Sequence, residues 1–194
     1  GGPDAALRAC LPQVLRRGTA KLPGLRAIGE ALDELYGARI ESAVRKEGET
    51  LCIGFLSDCI DEAYAPGAAG LTARVIRLLA GLLYDPYLQD GVFCPDYTAG
   101  ERENLIDRIA AQKNDPRSWA PKRLTELMCK DEAYGQPALG TTEQARKITE
   151  KKLYAAYQRA LGEAQVELFY CGTMAPDAVE ALFADTPLVR QRAG

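Results

Sequence analysis

Histidine is absent from the 194 residues of this chain. Histidine is the commonest general base in enzymes, the usual partner of a Ser or Cys nucleophile and the commonest zinc ligand. A His-dependent catalytic triad and a His-ligated metal within this chain are therefore excluded.

Six cysteines remain as candidates for redox or metal chemistry, and they are scattered along the chain without a C-x-x-C pair: Cys10, Cys52, Cys59, Cys94, Cys129 and Cys171. Without that spacing, neither a zinc ribbon nor a thioredoxin-type site is supported. Their mostly apolar neighbours favour buried free thiols in a reducing cytosol. A disulfide or a reactive thiol is the alternative, and Cys94, in the loop VFCPD, is the thiol we expect to be exposed.

Carboxylates and hydroxyls offer the other candidate chemistry. Glu103 and Asp107 stand four residues apart on a predicted helix, next to Glu101 and before Asp115. Arg102 and Arg108 interleave with them, which favours an ion-paired, solvated face over a carboxylate metal site. A serine nucleophile at Ser57 or Ser118 would need a base such as lysine, and nothing in the sequence places one there. The segment GAAG lacks the pattern of a phosphate-binding loop.

Composition limits the remaining function classes. The chain is 47% apolar and 26% charged, so it can build one sizeable core, and we expect residues 1–194 to form a single domain. Its net charge of −3 argues against nucleic acid as the main partner. No apolar run approaches the roughly 18 residues of a membrane span, and no signal peptide is visible. We therefore expect a cytoplasmic protein with no membrane partner.

Periodicity predicts the elements that must position these residues. In the first half of the chain it predicts a helix over 4–16, kinked or starting late because of Pro12, a helix over 25–37, a hairpin of strands 38–47 and 50–60, and a helix over 70–84. In the second half it predicts a helix over 96–113, a helix restarting at Asp115-Pro116 with Leu124, Leu127 and Met128 facing inward, a helix capped by Thr149, a buried strand over 164–171 and a short helix over 176–184.

This order predicts an α+β fold, with an antiparallel or mixed sheet and helices packed mainly on one face. Three strands are few for such a sheet. We expect a leading strand and a second module to be absent from this chain. An aromatic set lies around the long loop after residue 84 and is interpreted as core and loop anchoring, with a partner surface as the alternative: Tyr84, Tyr87, Phe93, Tyr97 and Trp119.

Five phrases carry a family resemblance. They are VLRRGTAKLPGLRAIGEALDELYGA (14–38), GLLYDPYLQDGVF (81–93), ERENLIDRIAAQKNDPRSWAPKRLTELM (101–128), YGQPALGT (134–141) and VELFYCGTM (166–174). In order and spacing they resemble one module of the M16 (insulinase/pitrilysin-type) metallopeptidases. LPQVLRRGT and ELFYCG are similar to the non-catalytic member of a bacterial M16 pair, the type associated with aminopentanol modification of elongation factor P.

The resemblance implies where a zinc site would lie. Active members carry H-x-x-E-H on a helix before a Gly-Thr turn, and its two histidines hold zinc while the glutamate is the general base. Alignment on Gly18-Thr19 places these roles on Ala9, Pro12 and Gln13. The third ligand, seven residues after the glutamate matched by Glu101, falls on Arg108. The resemblance thus implies a module without catalytic residues, metal or cofactor.

Three hypotheses follow. The chain is an inactive M16-like module that pairs with an active M16 peptidase subunit or module and helps enclose an extended peptide. Alternatively, it is half of a longer zinc metallopeptidase chain whose metal site lies in the other module. In the third hypothesis, it is a free-standing peptide-binding or scaffold protein. The first predicts an oligomer, because one module alone should expose an apolar pairing surface.

Overall fold

The computed structural model describes residues 4–184 and confirms the α+β class. Its elements in chain order are α1 (Ala5–Leu15), α2 (Leu25–Asp33), β1 (Arg39–Glu47), β2 (Thr50–Asp58), α3 (Leu71–Tyr84), β3 (Leu88–Gln89), β4 (Val92–Phe93), α4 (Pro95–Ala111), α5 (Pro116–Met128), α6 (Thr142–Arg146), α7 (Glu150–Glu163) and α8 (Pro176–Ala184). Strands β1 and β2 form one two-stranded sheet, and β3 and β4 form another. The molecule is therefore rich in helix and carries only small antiparallel sheets in the part that is described.

The chain divides into two compact units. The first comprises the chain up to Val14, Ser42–Gly54 and Leu88–Gly162, and the second comprises Leu15–Glu41, Phe55–Tyr87 and the chain from Glu163. The first unit therefore holds α4 to α7 and nearly all of α1, and the second holds α2, α3 and α8. The β1–β2 hairpin contributes its turn end to the first unit and its base to the second.

An aromatic cluster forms part of the core of the first unit. Phe93, at the end of β4, is 1% exposed and meets Tyr154 and Tyr157 of α7 edge-on, with ring centroids 5.7 and 5.5 Å apart. Such edge-to-face pairs add to the free energy gained from burying the rings. The short β3–β4 hairpin, which the sequence analysis missed, thus delivers one large side chain to the core.

The hairpin turn end is also tied down within the first unit. The Lys46 ammonium of β1 donates hydrogen bonds to the carbonyl oxygens of Ala133, Tyr134 and Gln136 at 2.7, 2.6 and 2.6 Å. It also lies 5.6 Å from the centroid of the Tyr134 ring. One cation therefore satisfies three carbonyl groups of a loop that would otherwise depend on water.

Two overlapping apolar clusters build the core of the second unit. One joins Leu35 and Ala38 to Leu71 and Val75 of α3. The other is formed by residues of α2, β1 and α3: Ile28, Ile40 and Leu82. Both predicted helices, over 25–37 and 70–84, are thus confirmed as helices, but α2 ends earlier than predicted, at Asp33. Gly37, with a φ of 70°, lies in the turn that follows.

The Gly18-Thr19 turn, on which the family alignment rests, is held by backbone hydrogen bonds within the second unit. The N–H of Ala20 donates to the Asp85 carbonyl at 2.9 Å, and the N–H of Tyr87 donates to the Gly18 carbonyl at 3.0 Å. A Cβ on Gly18 would lie 2.7 Å from the Gly24 nitrogen, so the turn has room only for glycine.

One predicted strand and one predicted core face are wrong. Residues 164–171 are neither a strand nor buried: they have no regular secondary structure and are exposed, and no strand lies beside them among the described residues. Helix α5 forms as predicted, but Leu124, Leu127 and Met128 are 58%, 57% and 73% exposed instead of facing inward. Both segments have the apolar side chains typical of a buried element, but no other part of the described chain packs over those side chains.

Smaller predictions also need correction. Helix α1 begins at Ala5 and therefore does not start late, and Pro12 lies in its interior. Cys94 is buried, whereas Cys52 and Cys171 are exposed. Cys94 is the N-cap residue of the helix that follows, where it is 7% exposed. All six cysteines are free thiols.

Candidate functional site

The candidate site lies on α1 and α4 in the first unit. Ala9 and Cys10 are completely buried, Pro12 is among the least exposed side chains of the molecule, and Gln13 is half-buried. Helix α1 is held at its start by Asp4, whose carbonyl accepts from the Arg8 N–H at 3.0 Å. The positions that carry the zinc ligands and base in the family resemblance are therefore packed into the protein on this helix.

Helix α4 supplies the other half of the candidate site. It begins with Pro95 at its first position, where a missing N–H costs nothing. Glu101 is 8% exposed, and its carboxylate accepts a hydrogen bond from the Asn104 side chain at 3.1 Å. Arg108 lies two turns further on, in the last turn of α4, and is exposed. A spacing of seven residues places Glu101 and Arg108 on the same side of the helix.

Charged side chains of α4 act on the pKa of Cys10 in α1, so these two helices lie close together. Burial raises its pKa to about 12, and the negative charge of Glu101 acts in the same direction. The guanidinium groups of Arg102 and Arg108 act in the opposite direction on the same pKa. Because a thiol with such a pKa carries almost no thiolate at neutral pH, Cys10 is a packing residue and is chemically inert.

The side chains at the positions that the resemblance assigns to the zinc ligands and the base do not fit zinc. Zinc sites in proteins use thiolate, imidazole and carboxylate donors. Ala9 has no donor atom, Pro12 cannot accept a proton, and Gln13 offers only a neutral amide. Arg108 places a positive charge where the resemblance puts the third ligand. The prediction that the chain holds no metal remains to be tested directly.

The other candidate residues are not assembled into a site. Glu103 is exposed and pairs with its neighbour Arg102 at 3.2 Å, which agrees with the predicted ion-paired face. Asp115 caps α5, and the Ser118 hydroxyl donates to its carboxylate, which lowers the pKa of Asp115. Ser118 is therefore an exposed capping partner of Asp115. Within residues 4–184, no three acidic or cysteine side chains are grouped so that they could hold a metal ion.

The aromatic set is divided between roles. Phe93 is a core residue, as predicted, whereas Tyr84, Tyr87, Tyr97 and Trp119 are half-buried. They do not form an exposed aromatic surface.

An exposed apolar face on α5 is the feature that sequence reasoning missed. Leu124, Leu127 and Met128 stand at helical spacing three and four residues apart, and no residue of α5 is buried. We call these three residues the α5 face. Exposed apolar patches of this kind typically mark contact surfaces. The helical spacing of its apolar residues was the sequence signal for this face. The same spacing is found in helix faces that contact another protein module.

The fold is that of an M16-type peptidase module. No protein-family model matches the chain. It is 33% identical over 174 residues to the "Probable inactive metalloprotease YmfF" of Bacillus subtilis, a match that covers 90% of this chain. The predicted resemblance is confirmed: the chain is similar in sequence to a protein named a probable inactive metalloprotease, and its fold is that of M16 peptidases.

Solved structures agree on the fold. A conserved protein from Enterococcus faecalis matches 97% of this chain with a TM-score of 0.88 and 24% identity. A peptidase M16 inactive domain from Pseudomonas fluorescens matches 78% with a TM-score of 0.59 and 18% identity, and the periplasmic protease PqqL from Escherichia coli matches 97% with a TM-score of 0.68 and 11% identity.

The chain spans only part of each of these proteins. It covers 41% of the Bacillus relative, 44% of the Enterococcus protein, 32% of the Pseudomonas domain and 20% of PqqL. The shared module is therefore one part of a longer chain in each of them. Among the helices that the structure describes, none combines the length and the apolar character needed to cross a bilayer.

Proposed function

We propose that this chain is a catalytically inactive module that pairs with an active M16 zinc peptidase module and helps enclose or position a peptide substrate. The observation that carries this proposal is the M16-type fold. It is joined to the family resemblance, which puts the zinc-ligand and base positions on Ala9, Pro12, Gln13 and Arg108. These side chains can neither hold zinc nor act as a base on water. The function left to the folded module is to bind a peptide or another module.

The α5 face supports the pairing part of the proposal. Leu127 and Met128 expose more than half of their surface, although their spacing is that of a buried helix face. Charges border the face, including an Arg123–Glu126 ion pair at 2.9 Å. An apolar centre with a charged rim is the usual anatomy of a protein interface. Since the relatives are longer chains that contain this module, a second module is the natural occupant.

Two further parts of the proposal concern the peptide and the compartment. Among residues 4–184 the β1–β2 sheet has two strands, so each has an edge at which an extended peptide can add as a further strand. Exposed free thiols at Cys52 and Cys171 fit a reducing compartment, which supports the cytoplasm. The association with elongation factor P modification stays a prediction from the phrases quoted above.

One alternative is favoured by a specific observation. Because the chain covers 41% of its Bacillus relative, the partner module can belong to the same natural polypeptide. This alternative keeps the role of the chain and changes only whether the partner is covalently attached.

A charge-introducing variant on the α5 face tests the pairing. Leu124→Glu combined with Leu127→Glu is expected to weaken binding of an H-x-x-E-H-bearing M16 peptidase from the same cell by about tenfold or more, since charges would be buried in the interface. The measurement is titration of the full natural protein with that peptidase, followed by native mass spectrometry.

Leu25→Glu is the matched control. Leu25 is an exposed leucine, 43% accessible, at the start of α2. The Leu25→Glu variant should leave binding of the peptidase unchanged. Neither variant should alter the melting temperature of the unbound protein, because both replace exposed side chains. Unchanged binding by the double variant would contradict the assignment of the α5 face, and no binding by the unmodified protein would contradict the pairing itself.

A further inference from the structure

Helix α5 carries the α5 face although the helix has no buried residue of its own. Its main contacts lie with two short helical turns, Gln112–Asn114 before it and Ala133–Gly135 after it. In most proteins the burial of an apolar face is what stabilises and orients a helix. Because α5 lacks such burial, the contacts at its two ends determine the direction in which Leu124, Leu127 and Met128 point.

The end of α5 is joined to segment 133–136 by a series of backbone hydrogen bonds. The N–H of Cys129 donates to the Thr125 carbonyl at 3.0 Å, and the Cys129 carbonyl accepts from the Glu132 N–H at 3.0 Å. The Glu132 carbonyl in turn accepts from the Gly135 N–H at 3.2 Å. A Cβ on Gly135 would overlap with the Cys129 carbonyl, so the segment lies directly against the helix end. A displacement of segment 133–136 therefore displaces the last turn of α5.

Lys46 is the long-range contact that holds segment 133–136. It lies on β1, 87 to 90 residues before the carbonyl groups that it binds. Its three hydrogen bonds, at 2.6–2.7 Å, go to the carbonyl oxygens of Ala133, Tyr134 and Gln136, so that every N–H donor of the ammonium group is used. Hydrogen bonds from a charged donor are stronger than those between neutral groups. The lysine therefore fixes the segment at three points at once.

We infer that Lys46 is a positioning residue for the α5 face. Its ammonium group fixes segment 133–136, and that segment fixes the last turns of α5, where Leu127 and Met128 lie. The consequence for binding rests on the proposed function, in which the α5 face contacts a peptidase module. A helix end that is not held presents its face correctly in only a fraction of the molecules, and the apparent affinity falls with that fraction.

Amide hydrogen exchange of the Lys46→Met variant of the full natural protein tests the positioning role. Methionine keeps most of the apolar stem of lysine but offers no donor to the three carbonyl groups. We expect peptides covering 124–136 to exchange on the order of tenfold faster than in the unmodified protein, because the last turns of α5 open more often. Peptides from α7 should exchange as before and serve as the internal control.

A conservative variant identifies the group responsible. Lys46→Arg keeps the positive charge and several N–H donors, so it should restore most of the slow exchange over 124–136. Unchanged exchange over 124–136 in Lys46→Met would overturn the inference. Exchange that became faster in α7 to the same extent would show a general loss of stability and would overturn it as well.

Titration with the H-x-x-E-H-bearing peptidase tests whether this positioning matters for pairing. Lys46→Met is expected to weaken binding by on the order of tenfold, and Lys46→Arg should restore most of the affinity. Lys151→Met is the matched control, because Lys151 is an exposed lysine on α7 of the same unit and the variant removes the same charge. This control should bind as the unmodified protein does.

A combined variant shows whether Lys46 acts through the α5 face. Adding Lys46→Met to the Leu124→Glu and Leu127→Glu pair should weaken binding no further than the pair alone, since effects that act through one surface are not additive. Fully additive losses, or unchanged binding by Lys46→Met alone, would overturn the inference. If the unmodified protein bound no peptidase, the proposed function would be contradicted, and the exchange over 124–136 would still decide the role of Lys46.

Discussion

Replacing Gly140 by alanine is expected to lower the free energy of unfolding by about 3 kcal/mol, the combined effect of a close backbone approach and an unfavourable φ. A Cβ at this position would lie 2.6 Å from the backbone nitrogen of Ala6 and 2.9 Å from its Cβ, at the start of α1. Gly140 also has a φ of 71°, in the left-handed region that alanine avoids.

The same Cβ would disturb the cap of α6. It would lie 2.5 Å from the Gln144 side-chain oxygen, which accepts a hydrogen bond from the Thr141 N–H at 3.1 Å. Thr141 and Gln144 form a reciprocal capping box, so Gly140→Ala affects two elements of the first unit at once. Thermal unfolding should show a midpoint lowered by about 9 °C.

Gly162→Ala is the matched control for this prediction. Gly162 lies inside α7, and a Cβ added there would meet no atom within 4 Å. Alanine at this position should be neutral or stabilising by up to about 1 kcal/mol, because glycine is a poor helix former. If Gly140→Ala melted like Gly162→Ala, the close packing of the YGQPALGT segment against α1 would be refuted.

The second large effect is expected from Phe93→Ala, which should cost about 3–5 kcal/mol through lost burial and an unfilled cavity. Phe93 is 1% exposed and contacts two tyrosines of α7. The measurement is urea unfolding followed by circular dichroism, with an unchanged slope and a lower midpoint as the expected signature of a stability effect.

Phe169→Ala provides the comparison with a phenylalanine that the chain leaves exposed. Since Phe169 is 92% exposed, its truncation in the 194-residue chain should change stability by less than about 0.5 kcal/mol. Equal effects of the two substitutions would show that the short β3–β4 hairpin does not place Phe93 in the core.

Local sequence patterns predicted most of the helices and the β1–β2 hairpin because those elements carry their own periodicity and end signals. Pro116 after the Asp115 cap and Thr149 before α7 are examples, and both act as predicted. The short β3–β4 pair escaped prediction because two-residue strands have no measurable alternation. The capping box of α6 was overlooked in a turn-rich segment.

The errors over 164–171 and on α5 have a common physical origin. Hydrophobic periodicity identifies a face that needs cover, but it does not say whether the cover comes from the same chain. At Leu124 and Phe169 the described chain supplies none. The pairing is proposed on the first of these positions, the α5 face.

The family resemblance assigns the zinc-ligand and base positions to residues that the structure places on α1 and α4. These two helices lie close together, since charged side chains of α4 act on the pKa of Cys10 in α1. That these positions correspond to a zinc site stays a prediction. Sequence reasoning did not predict that Glu101 is buried with Asn104 as its partner, because burial of a single carboxylate depends on tertiary packing.

The most direct test of the central claim is the zinc content and composition of the complex captured from native cells with the full natural protein as bait. The account predicts an identified M16 peptidase bearing H-x-x-E-H in equal amount, with zinc present in the complex and lost when that peptidase is removed. Zinc retained by the bait in stoichiometric amount after that removal, or failure to capture such a peptidase from an extract shown to contain it, would contradict the account.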